Sequence, residues 1–573
     1  MLSNSGATLF SALAHAAEHS AKGVRFLQGG VETRYLTYEA LQRDALNVAA
    51  GLTERGLITK GARIGLVTSN TAEAVIGFFG VVAAGAVPVP LPAPHRFSKI
   101  RRYEDRIRGV VDGSRLEVVL TPNILSAFVR DAASSLSVKT VAVVEECVAS
   151  AGTRCAVDVT ADDVAFIQYT SGSTTRPKGV VIRHRQVMAN LEAISRATRA
   201  TPDEVGCIWL PLFHDMGLVG CLFAAVWSGC ELVMMSPEDF VVSPYSWLQL
   251  FGKYGGTMAP APNAGYAHCL RQVGPDLACQ LDLSTWRCAM NGAEPVDAEL
   301  GRRFCERFRP AGFRPEAYTP VYGMAEATLV VAMAPFDRPL QSLWLARDAL
   351  ANYAAVPCGG PEAGAREVVS AGAPVHGMEV RIRDTSTGAF VGDSRVGEVC
   401  IRGSSVTTGY EGDPAATREA FHEGFLLTGD LGFMRAGELY LVGRSKEVII
   451  IRGINYYPND IEKVALEAAG PQIEAVMALG VSDAGTECLM LLAEHRRGLT
   501  IDAEATSRLL REAVSGTFGV SPRDIVFLAG GTLPRTTSGK LQRHRGAELY
   551  ALHAEQADAP RPNAGSVALS ASD

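Results

Sequence analysis

From residue 61 to residue 169, short β-branched runs alternate with longer stretches of helical character, and few folds tolerate that order. Residues 61–67 read as a strand, 71–84 as a buried helix, and 87–89 as a strand running into a proline-rich turn. Further strands are predicted at 118–120, 141–144 and 164–169. This alternation argues for an α/β architecture with parallel strands. At 573 residues the chain has room for about three or four domain-sized units. Its formal charge of −7 provides no overall basic field, so nucleic acid is not an expected partner. The longest uncharged run, 74–94, is interrupted by glycines and by prolines at 88, 90 and 92, so no membrane span is expected. The first 25 residues lack the basic start and unbroken apolar stretch of a secretion signal. The 12 cysteines are scattered without a Cys-x-x-Cys pair, which suits buried thiols in a reducing compartment. A cytoplasmic protein is therefore expected.

The alternation ends at Phe166-Ile-Gln-Tyr-Thr-Ser-Gly-Ser-Thr-Thr-Arg-Pro-Lys-Gly-Val-Val-Ile182. Two apolar runs flank four hydroxyl residues (Thr170, Ser171, Ser173, Thr174), the glycines 172 and 179, and Lys178. Small residues let backbone N–H groups turn onto an anion, hydroxyls add donors, and the lysine adds charge. These are the parts of a phosphate-holding loop. The order differs from the P-loop, in which Gly-Lys-Ser/Thr opens a helix. Here Lys178 precedes the second glycine, and the chain re-enters a strand.

The string Tyr169-Thr-Ser-Gly-Ser-Thr-Thr-Arg-Pro-Lys-Gly179 resembles the signature of adenylate-forming enzymes: acyl-CoA synthetases, luciferases and the adenylation domains of peptide synthetases. The resemblance spans roughly residues 5 to 550, and within that superfamily the chain looks most like the fatty acyl-AMP ligases. It implies a large, multi-subdomain α/β N-terminal domain over 1–445. A smaller, mobile α+β lid is implied over 446–553, with a disordered tail over 554–573. Two further segments carry it. Asn291-Gly-Ala-Glu294 and Tyr322-Gly-Met-Ala-Glu326 match the family's adenine and magnesium segments. The match assigns Gly292, Ala293 and Glu294 to one face of the adenine and Tyr322, with Gly323 and Met324 beside it, to the other. Thr170, Ser171, Gly172, Ser173, Thr174 and Lys178 would hold phosphates. Glu326, with Thr170, would hold magnesium, a hard cation that favours carboxylate and phosphate oxygen together. Asp430, in Thr-Gly-Asp-Leu-Gly, would accept hydrogen bonds from both ribose hydroxyls, and Arg444 would reach ribose and phosphate. Lys446 falls where the family turns its small domain. Lys540, in Leu-Pro-Arg-Thr-Thr-Ser-Gly-Lys, is one of only nine lysines and would bridge the acid and the α-phosphate.

Other segments are read from the residues first. His214-Asp215 follows a predicted strand and opens a helix rich in Gly and Ala; Asp215 suits a cap. His214 stands at a strand-to-helix junction, where ligand sites in α/β sheets collect, and the resemblance places it near the acyl carboxylate. Residues 247–273 suit either an ordinary core or an apolar tunnel. The span of about 336–370 is longer than acyl-CoA synthetases carry and matches a ligase insertion. Gly453-Ile454-Asn455 stands where many relatives have Gly-Arg-Asn. The implied cofactors are ATP and magnesium, and the implied partners are a fatty acid and an acyl carrier protein with its phosphopantetheine arm. Free CoA as acceptor, or a non-catalytic nucleotide or lipid binder, are the alternatives.

Overall fold

The computed structural model describes residues 7–94, 99–149, 157–170, 177–360, 364–452, 454–483, 486–535 and 540–558. It divides into two compact units, Met1–Ser445 and Lys446–Asp573.

The larger unit contains a four-stranded parallel sheet in the order Val87–Pro92, Arg63–Thr68, Val118–Thr121, Thr140–Val143. The prolines expected to form a turn lie inside the first of these strands. That strand is at the sheet's edge, and Pro88, Pro90 and Pro92 share one side of it. A proline nitrogen has no hydrogen to offer a ladder and is tolerated on the unpaired side of an edge strand. Helices Ala72–Ala83 and Tyr38–Glu54 cover the sheet, each started by a threonine whose hydroxyl accepts from the first turn.

Strand Val164–Thr170 departs from the expected parallel order. It pairs antiparallel with Lys178–Arg183 in a separate hairpin, Thr170 opposite Lys178. The physical reason is length: a parallel return needs a crossover of about a dozen residues or more, and only seven separate these strands.

A nine-stranded sheet follows. Its central strands, Tyr318–Gly323, Cys288–Asn291, Met258–Ala261, Val205–Ile208, Glu231–Met235 and Gly23–Gln28, run parallel. Trp247, Phe251, Trp286 and Phe304 form a fully buried aromatic cluster beneath it. A third, antiparallel sheet contains Met378–Arg383, Gly397–Gly403, Phe425–Arg435 and Glu438–Arg444. The long span after residue 336 forms a hairpin of Ser342–Ala346 with Ala365–Val369 and a short helix Arg347–Ala351, with Leu345 and Leu350 buried.

The smaller unit has a three-stranded sheet, Ile473–Asp483, Thr486–His495 and Asp524–Leu528, with helices Pro458–Ala469, Ala503–Phe518 and Arg543–Asp558. The last helix runs five residues into the stretch read as tail. Among the described residues, no helix is long and apolar enough to cross a membrane. Cys221 and Cys230 are both free and buried, and burial raises both thiols.

Candidate functional site

Three parallel strands of the nine-stranded sheet deliver their C-terminal ends to one region, the usual ligand edge of an α/β sheet. Cys288–Asn291 ends in Gly292-Ala293-Glu294, and Tyr318–Gly323 ends in Met324 and the turn Ala325–Ala327. Val205–Ile208 leads through Trp209 and Pro211 to His214. Two glycines are sterically required. A Cβ on Gly292 would stand 2.8 Å from the Val321 carbonyl oxygen, and one on Gly323 would stand 2.2 Å from that of Leu329. Ala293 has φ +75°, an uncommon left-handed setting for a residue with a Cβ. Such strain persists only where surroundings impose it, and it gathers at binding sites.

Glu326 sits in that turn, held by the Thr407 N–H donating to its carbonyl at 2.7 Å. Its Oε1 accepts from the Tyr410 hydroxyl at 3.1 Å. The Tyr410 ring in turn lies 4.8 Å from the Lys178 ammonium. Residue 410 reaches this position because residues 409–411 add to the edge of the hairpin: Val181 N–H donates to Gly409 O and Glu411 N–H to Gly179 O. Tyr410 thus links Lys178 to the carboxylate. Burial pushes the Glu326 carboxyl up from its ordinary value, and the negative charge of Asp215 adds to that, while Tyr410 and Arg444 oppose it.

Asp430 is buried and presents each oxygen to a different donor. Oδ2 accepts from the Tyr322 hydroxyl at 2.6 Å and Oδ1 from Arg444 Nε at 2.9 Å. Asp430 and Arg444 are direct cross-strand partners, which fixes the pair. Asp430 stands in the middle of an eleven-residue strand, Phe425–Arg435, which shifts register against Glu438–Arg444 between Leu431 and Gly432. Tyr322 is 7% exposed; burial, then Asp430, raises its hydroxyl well above its ordinary range, so it remains a donor.

The two clusters share one stretch of chain: Tyr322 of the second stands four residues before Glu326 of the first, across the end of strand Tyr318–Gly323 and the turn Ala325–Ala327. His214 is half-buried and packs its ring against Phe213 at 4.8 Å. Gln168, from the hairpin, donates to the Phe213 carbonyl at 2.7 Å and ties this turn to the phosphate loop's base. The helix that His214 opens passes directly into a π-helix, Leu218–Phe223, a rare geometry that recurs at functional sites.

The structure therefore brings together Thr170, Lys178, Tyr322, Met324, Glu326, Asp430 and Arg444, with His214 next to them. Ser171, Gly172, Ser173 and Thr174 lie outside the described residues. Lys540 is half-buried in the smaller unit, and Lys446 is that unit's first residue. Tyr410 and Gln168 escape a sequence reading. Tyr410 stands in an aperiodic polar stretch, and Gln168 is one polar residue in an apolar strand. Asp215 reads as a cap, but the cap position is His214; Asp215 is the first helical residue, and its Oδ1 accepts from the Met216 N–H at 2.8 Å.

A hard divalent cation fits the donors present. Glu326, Asp215 and the Thr170 hydroxyl offer only oxygen, and a carboxyl raised by burial gains from a nearby positive charge. Among the described residues, no three His, Cys, Asp or Glu side chains form a complete metal cage.

A family model described as AMP-binding enzyme matches residues 13–411. The medium-chain-fatty-acid–[acyl-carrier-protein] ligase JamA of Moorena producens is 35% identical over 542 residues, covering 91% of this chain and 91% of that protein. A solved structure from work on fatty acyl-adenylate ligases of E. coli and L. pneumophila superposes with TM-score 0.89 at 33% identity, covering 96% of this chain and 98% of that one. A fatty acyl-adenylate ligase from L. pneumophila, in complex with acyl adenylate and pyrophosphate, has TM-score 0.73 at 30% identity over 95% and 96% of the two chains.

Proposed function

The chain belongs to the AMP-binding enzyme family, an adenylate-forming ligase akin to fatty acyl-AMP ligases, and we propose that it converts a fatty acid and ATP to acyl-adenylate and then acylates a carrier-protein thiol. The observation that carries this reading is one strand end that presents Tyr322, bonded to the Asp430–Arg444 pair, and four residues on Glu326, bonded to Tyr410.

In the first step a carboxylate oxygen of the acid attacks the α-phosphorus. The bond from that phosphorus to the β,γ-phosphate oxygen breaks, and pyrophosphate leaves. Acid and triphosphate are both anions, so cations must bring them together and align them. Lys178 and the hydroxyls from Thr170 to Thr174 hold the β- and γ-phosphates. Glu326 and Thr170 would hold magnesium, which would supply charge neutralisation there. Asp430 accepts from the ribose hydroxyls once the nucleotide takes over from the present donors, Arg444 follows it to ribose and phosphate, and Tyr322 stacks on the adenine. His214 stands beside the acid's carboxylate. Lys540 bridges that carboxylate and the α-phosphate as charge moves to the leaving group. In the second step a phosphopantetheine sulfur attacks the acyl carbon and AMP leaves.

No protein nucleophile is required, so Lys540→Ala should abolish adenylate formation without trapping an acyl-enzyme. Pyrophosphate release measured across a fatty-acid panel, with CoA or with a phosphopantetheinylated carrier, tests the whole reading. Purified protein that releases no pyrophosphate with any fatty acid would end it. Rapid formation of acyl-CoA would replace the carrier with CoA as acceptor. The 336–370 hairpin and the similarity to JamA, named as a carrier-protein ligase, favour the carrier. A cytoplasmic location fits the free, buried thiols.

A further inference from the structure

Within the smaller unit one guanidinium connects three separate segments. Arg543 opens helix Arg543–Asp558, three residues after Lys540, and its side chain is only 15% exposed. Its Nε and Nη2 donate to the two oxygens of Glu462 at 3.1 and 2.7 Å, its Nη1 donates to Glu447 Oε2 at 2.5 Å, and Nη2 also donates to Asn459 Oδ1 at 2.5 Å. Glu462 is itself fixed: it stands on helix Pro458–Ala469, and its Oε1 also accepts from the Ala478 N–H of the central sheet at 3.0 Å. Glu447 immediately follows Lys446, where the chain passes from one unit to the other.

The stretch that carries Lys540 is pinned at its other end too. Leu533 N–H donates to Glu494 Oε1 at 2.8 Å, and Arg535 Nη2 donates to Glu494 Oε2 at 3.2 Å. Glu494 is 1% exposed. Residues 535 and 541 form a bridge, and Gln542 N–H donates to Pro534 O at 2.9 Å. Lys540 thus stands one residue before the bridged Leu541 and three before Arg543.

We propose that Arg543 is a positioning residue for the adenylation step. It binds the Lys540 turn to the segment starting at Lys446, so that the turn follows that segment as a single body. This rests on the reading of Lys540 given above. Side-chain ammonium groups are effective only when held to fractions of an ångström, and a loose anchor costs rate rather than nucleotide affinity. A bidentate, planar fork also explains why arginine is needed: lysine offers one point charge and cannot span Glu462, Glu447 and Asn459 together.

The test separates the two half-reactions. Adenylation is read as pyrophosphate released with dodecanoate and ATP, and transfer as thioester formed from pure dodecanoyl-adenylate and N-acetylcysteamine. Arg543→Met should lower kcat for adenylation at least tenfold, leave the KM for ATP within about twofold, and leave transfer within about twofold. Arg543→Lys should recover little. Arg543→Met leaves two carboxylates facing each other, so it will also destabilise the fold. Arg543→Met combined with Glu462→Met removes the buried charges, and such replacements are often neutral or stabilising. The double variant should regain the melting temperature but not adenylation. Glu447→Ala should show the same half-reaction split in milder form.

Recovery of adenylation together with stability in the double variant would overturn the proposal. So would a parallel fall of both half-reactions, or wild-type adenylation in Glu447→Ala. Wild-type and Lys540→Ala controls distinguish this from failure of the parent reading. If wild-type protein makes no adenylate, or if Lys540→Ala makes it normally, the role of Lys540 falls first and this inference with it.

Discussion

At the scale of single residues, the site's two carboxylates are set to opposite tasks by their surroundings. Asp430 is buried but satisfied by Tyr322 and Arg444. Hydrogen bonds to a charged group contribute about 1.5–3 kcal/mol. Asp430→Asn keeps the shape but replaces one acceptor oxygen with an N–H₂ that faces a donor. The KM for ATP is therefore expected to rise by roughly 10- to 100-fold, at about 1.4 kcal/mol per tenfold, as read from pyrophosphate release against ATP concentration. Glu326 accepts from Tyr410, and burial raises its carboxyl. For a carboxyl whose folded pKa lies above its unfolded one, the folded state holds the proton more tightly. Stability is then greatest below the unfolded pKa and declines as pH rises through the folded pKa. Glu326→Gln keeps an acceptor for Tyr410 and removes that cost. In EDTA the variant should melt higher than wild type at pH 7.5, and the gap should close toward pH 4. Magnesium-dependent adenylation should be lost in the same protein. A variant that melts lower at pH 7.5 would show that Glu326 is a structural charge.

At the scale of elements, the sequence was most legible where periodicity and caps agree. The buried helix read over 71–84 is Ala72–Ala83, and Thr8, Thr37 and Thr71 cap the helices they precede. It was least legible where pairing is decided from a distance. Nothing local shows that strand Val164–Thr170 leaves the parallel sheet. Tyr410 was invisible because its contacts with Glu326 and Lys178 join residues far apart in the chain, through a segment without pattern. The hairpin of Ser342–Ala346 and Ala365–Val369 reads in sequence only as extra length, yet it supports the site. Arg366, on its second strand, donates to the Val442 carbonyl at 2.7 Å, and residue 370 bridges to 440, two points on the strand that ends in Arg444. Arg366→Met should lower the melting temperature and raise the KM for ATP several-fold, because a buried acceptor loses its donor. Arg302→Met breaks a pair with Glu367 in which the arginine is half-exposed, and exposed pairs are worth about 0–1 kcal/mol. It should leave the KM unchanged. Equal KM values for wild type and Arg366→Met would deny the hairpin any part in placing Arg444.

At the scale of the whole molecule, the chain is two folding units, each with its own apolar core, meeting in sequence at Ser445 and Lys446. The proposed chemistry makes conflicting demands on them. Joining two anions requires the ammonium of Lys540 beside the acid and the α-phosphate, whereas thiol attack requires an open approach to the acyl carbon that the ammonium no longer fills. On that proposal one arrangement of the units does not serve both steps, and the backbone near residue 446 takes at least two settings. Proline fixes φ near −65° and drives the preceding residue toward extended conformations. A proline at 446 is compatible with at most one of those settings. Lys446→Pro should therefore change the ratio of adenylation rate to transfer rate by tenfold or more, whichever step it spares. The substitution lies outside both cores, so both units should still melt as in wild type. Pyrophosphate release and thioester formation from supplied acyl-adenylate give the two rates. If the variant slows both equally, or neither, the two steps proceed from one setting of the chain, and Lys540 has no need to withdraw.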